Sequence, residues 1–215
     1  MKEGSLLRKN LVLDQSLWLL VFSNIVTIYF ATNENWSLFD IMWVYWLQSV
    51  IIGIFNFIRI LQLKEFSTEG FRINNRPAEP TEHTKKFTAF FFLLHYGFFH
   101  FGYMAFLLAG PLSAGTAGAM GSGFKYILPA ALLFFFNHFF SYFYNRPRDT
   151  KKQNIGTLMF YPYARIIPMH FMIAFFSVYG GSLVLFLGLK TLADVIMHIV
   201  EHNLLRKGEE SPVIT

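Results

Sequence analysis

The chain contains no cysteine among its 215 residues. Disulfide bonds, thiolate metal sites and cysteine nucleophiles are therefore excluded, and a strong metal ligand has to be a histidine or a carboxylate. Charged residues are also scarce, at 14% of the chain, whereas soluble domains carry about 25%. So little charge cannot give a soluble domain its polar surface, which predicts a membrane protein.

Apolar and aromatic residues take the place of charge. Hydrophobic residues make up 54% of the chain, 27 residues are phenylalanine, and the mean hydropathy is +0.41. The net charge of +5 would by itself suit nucleic acid, but the basic residues lie in short segments between apolar runs, as in membrane proteins. We therefore expect a lipid bilayer as the partner and no nucleic acid; a homo-oligomer is compatible with this composition.

Six hydrophobic stretches are long enough to cross a bilayer, which takes about 20 helical residues at about 1.5 Å each. They are Leu11–Ala31, Leu38–Leu61, Phe87–Leu108, Tyr126–Tyr144, Met159–Tyr179 and Leu183–Leu205. Because these stretches occupy most of the chain, we expect residues 1–215 to form a single integral-membrane domain. The predicted fold is all-α, a bundle of six transmembrane helices.

The distribution of lysine and arginine predicts the orientation of this bundle. Of the 18 basic residues, all but Lys125 and Lys190 fall on the N-terminus, the C-terminus and the connections after the second and fourth spans. The positive-inside rule assigns those four segments to the cytosol. The sequence therefore predicts a multi-pass protein of the cytoplasmic (inner) membrane, with both termini in the cytosol.

Three local features predict details of the fold. Gly53 in the second span permits close packing against a neighbouring helix. The connection Ser67–Lys85 contains Asn74-Asn75-Arg76-Pro77, which predicts a loop rather than a domain. At the end of this connection, Thr81 is expected to cap the third span.

The last span ends in His198-Ile-Val-Glu201-His202, with Asp194 four residues before the first histidine. Residues four apart share one face of a helix, so Asp194, His198 and His202 form a polar stripe. The order H-x-x-E-H is also the inverted zinc-protease signature, in which two histidines hold the metal and the glutamate acts as the base. We therefore predict His198 and His202 as metal ligands, Asp194 as a further ligand, and Glu201 as the catalytic base.

Four histidines on different spans form a predicted layer. His95, His138, His170 and His198 lie eight or nine residues from the expected cytosolic boundaries, roughly 12–14 Å deep. We predict that His138, His170 and His198 converge on one metal site, with His95 as a further candidate. His100 lies about 140° around the helix from His95 and is expected to pack instead. The alternative is that each histidine simply hydrogen-bonds a neighbouring helix.

Five further polar residues are candidates for substrate binding or for supporting the metal ligands: Arg165, Asn137, Tyr142, Asn56 and Asp14. Asn137 and Tyr142 accompany His138 on one span, where a supporting role and simple packing are both open. Arg165 either binds an anionic group or extends to the membrane surface. Asp14 either joins the site or pairs with a basic residue at the interface.

Three sequence strings resemble an uncharacterised prokaryotic family of polytopic membrane proteins, known only as a domain of unknown function. They are His95-Tyr-Gly-Phe-Phe-His100-Phe, Pro162-Tyr-Ala-Arg165-Ile-Ile-Pro-Met-His170 and Asp194-x-x-x-His198-x-x-x-His202. The resemblance implies a membrane fold from the second span onward, and it implies no chemistry. A rhomboid-type serine protease is not supported, because the chain has no Gly-x-Ser-Gly motif.

The residues leave three functional interpretations open. The first is an intramembrane metal-dependent hydrolase that uses Zn²⁺ and acts on a membrane-embedded or lipid substrate. The second is a transporter or channel for a divalent cation or for protons, because chains of histidine and aspartate serve as proton relays. The third is a membrane protein that binds haem or a quinone, with iron held by histidines on facing helices.

Overall fold

A computed structural model describes residues 15–113, 124–149, 153–164, 166–167, 170 and 183–207. Within these helices the side chains of residues 16, 110–113, 124, 126, 145–149, 183–185, 199 and 201–207 are left undescribed. The described chain is mostly helical, as predicted. Its helices are α1 (Gln15–Asn33), α2 (Leu38–Gln62), α3 (Glu82–Ser113), α4 (Phe124–Asp149), α5 (Ile155–Phe160) and α6 (Leu183–Lys207).

Three helical segments in the described part of the chain are long and apolar enough to cross a membrane. They are Leu38–Gln62, Glu82–Ala109 and Ile127–Tyr144, and α1 adds a shorter apolar segment, Leu17–Asn33. These helices turn large apolar side chains outward; Leu94 and Phe98, for example, are each 74% exposed. Water would disfavour so large an apolar surface, whereas lipid chains cover it without penalty. The chain is therefore a membrane protein, and that prediction is confirmed.

Some helices extend beyond the predicted apolar spans, because polar residues continue the helix. The bounds of α2 agree with the prediction to within one residue. Helix α3 begins five residues earlier than expected, because Thr81 caps it: the amide of Thr84 donates to Oγ1 of Thr81 at 3.1 Å. In its first turn, the ammonium of Lys85 donates to the carbonyl oxygen of Leu63 at 2.8 Å and to Glu82 at 2.6 Å. These hydrogen bonds stabilise the polar residues before Phe87 as the first turn of the helix. The predicted cap at Thr81 is confirmed.

The fifth predicted span, Met159–Tyr179, lies largely outside the described residues. Its predicted start does not coincide with the start of a helix, since α5 begins at Ile155, ends at Phe160 and is followed by a turn at Tyr161 and Pro162. Proline lacks an amide donor and so favours such an interruption. The last predicted span agrees with α6 at its first residue.

Helix α2 lies at the centre of the bundle and packs against α3, α4 and α5, while α1 packs against α4 and α6. At its contact with α3, the ring of Tyr96 lies directly over Gly53. The hydroxyl groups of Ser49 and Tyr96 are 2.8 Å apart. One turn away, the indole of Trp46 donates to the carbonyl oxygen of His100 at 2.8 Å. Gly53 therefore permits the close packing that the sequence predicted.

Two short sheets organise the connections after α2 and α4. Strand β1 (Phe66–Ser67) pairs in parallel with β4 (Gln153–Asn154), whereas β2 (Arg72–Ile73) and β3 (Arg76–Pro77) form an antiparallel hairpin. The hairpin turn uses Asn74 and Asn75 with positive φ angles of 50° and 63°, a conformation that asparagine tolerates and that matches the twist of two strands. The expected loop thus contains an ordered hairpin. Because β1 pairs with β4, the two basic connections lie at the same end of the bundle.

We expect Gly53→Ala to destabilise the protein, because the new Cβ would lie only 2.6 Å from Cε1 of Tyr96. Overpacking of this kind typically costs about 1–3 kcal/mol. Thermal unfolding in detergent, followed by circular dichroism, should show a lower midpoint. Gly97→Ala is the matched control on α3, since no described atom lies within 4 Å of its new Cβ and alanine favours helix. Equal midpoints for the two variants would contradict the close contact.

Candidate functional site

A small polar cavity lies inside the bundle, between α1, α2, α4, α6 and the turn that follows α5. We call it the polar cavity. Its volume is about 40 Å³, which accommodates on the order of one or two water molecules or an ion. Its polar lining residues are Asn56, Arg59, Asn137, His138, Ser141, Tyr142, Tyr161 and His198. Arg59 lies in the last turn of α2, so the cavity is nearer the end of the bundle that carries the β1–β4 pair.

Two buried amide oxygens of the polar cavity lack partners among the described residues. The amide nitrogen of Asn56 donates to the carbonyl oxygen of Leu158 at 3.0 Å, so its Oδ1 is the atom left over. Asn56 and Asn137 are only 4% and 3% exposed, and the Oδ1 of each has no hydrogen-bond partner in the part of the chain that the structure describes. A buried carbonyl oxygen without a donor is costly. The cavity therefore favours a guest that supplies hydrogen-bond donors or positive charge.

His138 on α4 and His198 on α6 line the polar cavity together. They come from sequence positions 60 residues apart and share this one cavity. His198 is buried. The turn after α5 is tied to the same helix, because the hydroxyl of Tyr161 donates to the carbonyl oxygen of Met197. A side chain of this turn and the backbone of α6 are thus joined at the cavity wall.

The other histidines of the predicted layer lie in an aromatic cluster on α3. Nδ1 of His95 is 2.8 Å from the hydroxyl of Tyr163, and the ring of His95 is exposed on the bundle surface. His170 contacts the hydroxyl of Tyr103 through Nδ1. His100 is buried and its ring stacks on Tyr96, with centroids 4.3 Å apart, which agrees with its predicted packing role. The structure therefore divides the layer into two groups, and His170 is not a lining residue of the polar cavity.

Four of the predicted site residues are not among the described side chains. Asp14 and Arg165 lie outside the described residues, as do the side chains of Glu201 and His202, although their backbone belongs to α6. Among the side chains that are described, no three His, Asp or Glu residues are grouped so that they could hold a metal ion. Of the predicted metal ligands whose side chains are described, only His138 and His198 line the polar cavity.

Asp194, which the sequence predicted as a further metal ligand, forms a buried ion pair with Lys190. The ammonium of Lys190 lies 2.6 Å from Oδ2 of Asp194, and it donates to Gln48 Oε1 at 2.6 Å and to Asn24 Oδ1 at 3.0 Å. It also lies 3.7 Å from the centroid of the Tyr45 ring. We call these partners, Asp194, Asn24, Gln48 and Tyr45, the ammonium cage.

The ammonium cage satisfies the charge and the hydrogen-bonding capacity of Lys190. A lysine ammonium has three donors, and three oxygen atoms accept them. Lys190 and Asp194 are 8% and 5% exposed, so an unpaired charge at either position would be very unfavourable. The carboxylate predicted as a metal ligand is therefore already engaged by a cation from its own helix.

Sequence reasoning missed this cage, although part of its signal was present. Lys190 precedes Asp194 by four residues, the spacing of a helical ion pair, but it was assigned to the far side of the membrane by its position near the start of the span. Tyr45 is buried at 4% exposure, and nothing in its local sequence indicates a contact with a lysine. Asn24 and Gln48 lie on other helices, so no spacing in the sequence connects them to Lys190.

We expect Lys190→Met to destabilise the protein by about 3–5 kcal/mol, because it leaves the Asp194 carboxylate buried without a counter-charge. The double substitution Lys190→Met/Asp194→Leu should restore most of the loss, since it removes both charges. Denaturant unfolding in detergent micelles measures the difference. Lys64→Met is the control, since this exposed lysine should change stability by only about 0.5 kcal/mol or less. A double variant no more stable than Lys190→Met would refute the coupling.

Comparison with known proteins supports the resemblance noted in the sequence. Residues 7–211 match the model of a family described as "Family of unknown function (DUF6498)". No curated protein matches the chain, and no solved structure matches it. Because the family model covers nearly the whole chain, the protein belongs to this family of unknown function.

Proposed function

We propose that the polar cavity is the functional site of this membrane protein and that it binds Zn²⁺ through His138 and His198. The observation that carries the proposal is the composition of the cavity. Two imidazoles from different helices line it together with two buried amide oxygens that have no donor among the described residues. Imidazole nitrogen is a common ligand of Zn²⁺, and the two amide oxygens can accept hydrogen bonds from a water bound to the metal.

The remaining ligands would come from the end of α6. Zinc is usually bound by three or four protein ligands, and His202 follows His198 by one helical turn. Glu201 would supply the negative charge that a buried divalent cation requires, because the carboxylate of Asp194 is paired with Lys190 at 2.6 Å. We therefore do not propose Asp194 as a ligand. Its ion pair with Lys190 instead fixes the orientation of α6 and balances the buried charge on that helix.

We propose hydrolysis as the reaction, on a membrane-embedded or lipid substrate. Bound zinc supplies a water of lowered pKa and a Lewis acid for the substrate carbonyl. Glu201 would take the proton from that water. The small volume of the cavity suits a metal-bound water, and Arg59 at its edge suits a developing or existing anion.

A cation or proton pathway is the second candidate function. The polar cavity and the ammonium cage both include residues of α6, His198 and Asp194, which are one turn apart. Buried polar groups therefore continue from the cavity toward the interior of the bundle, as in proton relays. A haem is disfavoured by the cavity volume of about 40 Å³, which is too small for a macrocycle. Metal-dependent cation flux in proteoliposomes, without hydrolysis, would favour the pathway.

We also propose that the protein crosses the cytoplasmic membrane six times, with both termini in the cytosol. The β1–β4 pair supports it, since the two most basic connections lie at one end of the bundle. Lys190 is compatible with this topology, because its ammonium is buried in the bundle and does not lie exposed on the far side of the membrane.

We expect a C-terminal fusion to green fluorescent protein to fluoresce in cells and a C-terminal fusion to alkaline phosphatase to be inactive, as the positive-inside rule requires. The same pair of reporters inserted between Ala117 and Gly118 should give the opposite result, because this site lies in the predicted outer connection. An active phosphatase at the C-terminus would contradict the topology.

We expect His138→Ala/His198→Ala to lose stoichiometric zinc while it stays folded, because it removes two ligands and breaks no helix. Elemental analysis of detergent-purified protein measures the zinc, and circular dichroism checks the fold. His95→Ala is the matched control, since His95 lies in the aromatic cluster outside the cavity.

Glu201→Gln should abolish hydrolysis through loss of the base.

Full zinc content in the double variant would contradict the proposed site. Equal loss in His95→Ala would contradict it too, because a general change in the bundle would then explain both results. Haem would instead give a Soret band in the purified wild-type protein, which we do not expect.

A further inference from the structure

Two exposed histidines lie on either side of Phe99 at the outer surface of the bundle. His95 belongs to α3, and His170 contacts the same helix. The centroid of the Phe99 ring is 5.2 Å from that of His95 and 6.1 Å from that of His170. We call these three side chains the His95–His170 face. Neither histidine lines the polar cavity, so the face is separate from the proposed zinc site.

Each of these imidazoles is held at one nitrogen by a tyrosine. Nδ1 of His95 is 2.8 Å from the hydroxyl of Tyr163, and Nδ1 of His170 contacts the hydroxyl of Tyr103. Within the part of the chain that the structure describes, neither the imidazoles nor the two hydroxyl groups make another hydrogen bond. Nε2 of each exposed histidine is therefore left without a partner among the described residues.

The hydrogen bonds to tyrosine assign the imidazole proton to Nε2. If each hydroxyl donates to Nδ1, both of those atoms are satisfied and one N–H group remains, on Nε2. If Nδ1 donates instead, the hydroxyl proton and the lone pair of Nε2 are both left over. The first arrangement leaves fewer polar groups unsatisfied. The His95–His170 face therefore presents two N–H donors.

Bulk lipid offers these donors no acceptor. His95 lies at the middle of the apolar segment Glu82–Ala109, roughly 20 Å from either end, and His170 contacts Phe99 and Tyr103, one and two turns further along. The ester and phosphate groups of lipids lie at the edges of a hydrocarbon core about 30 Å thick. An N–H group left unpaired inside that core is costly. The face therefore favours a lipid-soluble guest that brings acceptor oxygens into the core.

The arrangement of the donors determines the class of this guest. A quinone has a flat ring with carbonyl oxygens at opposite edges, and its long apolar tail keeps it within the membrane. Carbonyl oxygens accept hydrogen bonds from N–H groups, and a flat ring packs favourably on phenylalanine. A ring beside Phe99 thus has a donor on each side. An acyl ester has no ring to pack there, and its carbonyl belongs at the edge of the core.

We infer that the His95–His170 face binds the ring of a lipid-soluble quinone, with Nε2 of each histidine donating to one carbonyl oxygen. The inference goes beyond the proposed function and requires no bound zinc. It gives the quinone interpretation, which the sequence left open, a site of its own. Tyr163 and Tyr103 are positioning residues, because their hydroxyl groups fix the orientation and the tautomer of the two imidazoles.

The location of the site is tested with an azido derivative of decylubiquinone, added to the full chain in phosphatidylcholine nanodiscs. After illumination, peptide mass spectrometry locates the labelled residues. We expect labelling to concentrate on the peptides that contain His95, Phe99 and His170 and to decrease when unlabelled decylubiquinone is added. Decylbenzene, which has a ring and the same tail but no carbonyl groups, should compete weakly.

The hydrogen bonds are tested by infrared spectroscopy of decylubiquinone labelled with ¹³C at both carbonyl groups. A hydrogen bond weakens the C=O bond, so we expect a lower stretching frequency in nanodiscs that contain the protein than in empty ones. His95→Phe/His170→Phe should return the frequency to that of the empty nanodiscs, because it keeps two aromatic rings and removes both donors.

Three variants make the competition test specific. His95→Phe/His170→Phe should raise the decylubiquinone concentration needed for half-competition about tenfold or more, as expected for the loss of two hydrogen bonds. His95→Gln/His170→Gln, which restores an N–H donor at each position, should recover part of this loss. His83→Phe is the matched control, since His83 is also exposed and stacks on Phe87 but lies in the first turn of α3.

Labelling spread evenly over the exposed faces of α1, α3 and α4 would overturn the inference. A carbonyl frequency equal to that in empty nanodiscs, or equal half-competition for His95→Phe/His170→Phe and His83→Phe, would overturn it as well. The labelling should persist in His138→Ala/His198→Ala, because those residues line the polar cavity and not this face. Failure of the quinone site and failure of the zinc site are therefore separate results.

Discussion

The ion pair between Lys190 and Asp194 is the interaction on which the interior of this bundle depends. Buried charges in a membrane are tolerated only when they are paired and hydrogen-bonded. Lys190 therefore requires oxygen atoms from Asn24 of α1 and Gln48 of α2, at 3.0 and 2.6 Å. These contacts hold three helices in one relative rotation. Since His198 follows Asp194 by one turn on α6, the same rotation turns His198 into the polar cavity.

Helix α2 connects the features that we assign to function. One face carries Gly53 and packs closely on Tyr96 of α3. Another presents Asn56, whose amide is held by the carbonyl oxygen of Leu158 so that its Oδ1 is left over in the polar cavity. Phe55, the neighbouring residue, lies between this cavity and an apolar groove on the outer surface of α2 and α4. A polar cavity and an apolar groove are thus adjacent because successive residues of one helix face different surroundings.

The sequence predicts how far along each helix a residue lies but not which way its side chain faces. Counting residues from the basic connections placed four histidines in one layer, and two of them, His138 and His198, do share a cavity. His95 and His170 lie with Tyr163 and Tyr103 instead, because helix packing decides which direction each side chain faces. The i, i+4 spacing correctly predicted that Asp194 and His198 share a face of α6. It could not predict that Lys190 would occupy the carboxylate.

The sequence by itself determined the class of the protein, the extent of α2, the cap at Thr81 and the close packing at Gly53. These follow from local composition, since lipid requires long apolar helices whose backbone groups are satisfied within the helix. Only the tertiary structure decided which polar residues meet. The partners Asn24, Gln48 and Lys190 are separated by up to 166 residues, and their contact results from the joint packing of α1, α2 and α6. Residue spacing along the sequence cannot predict that packing, because the packing depends on shape and charge complementarity between helices.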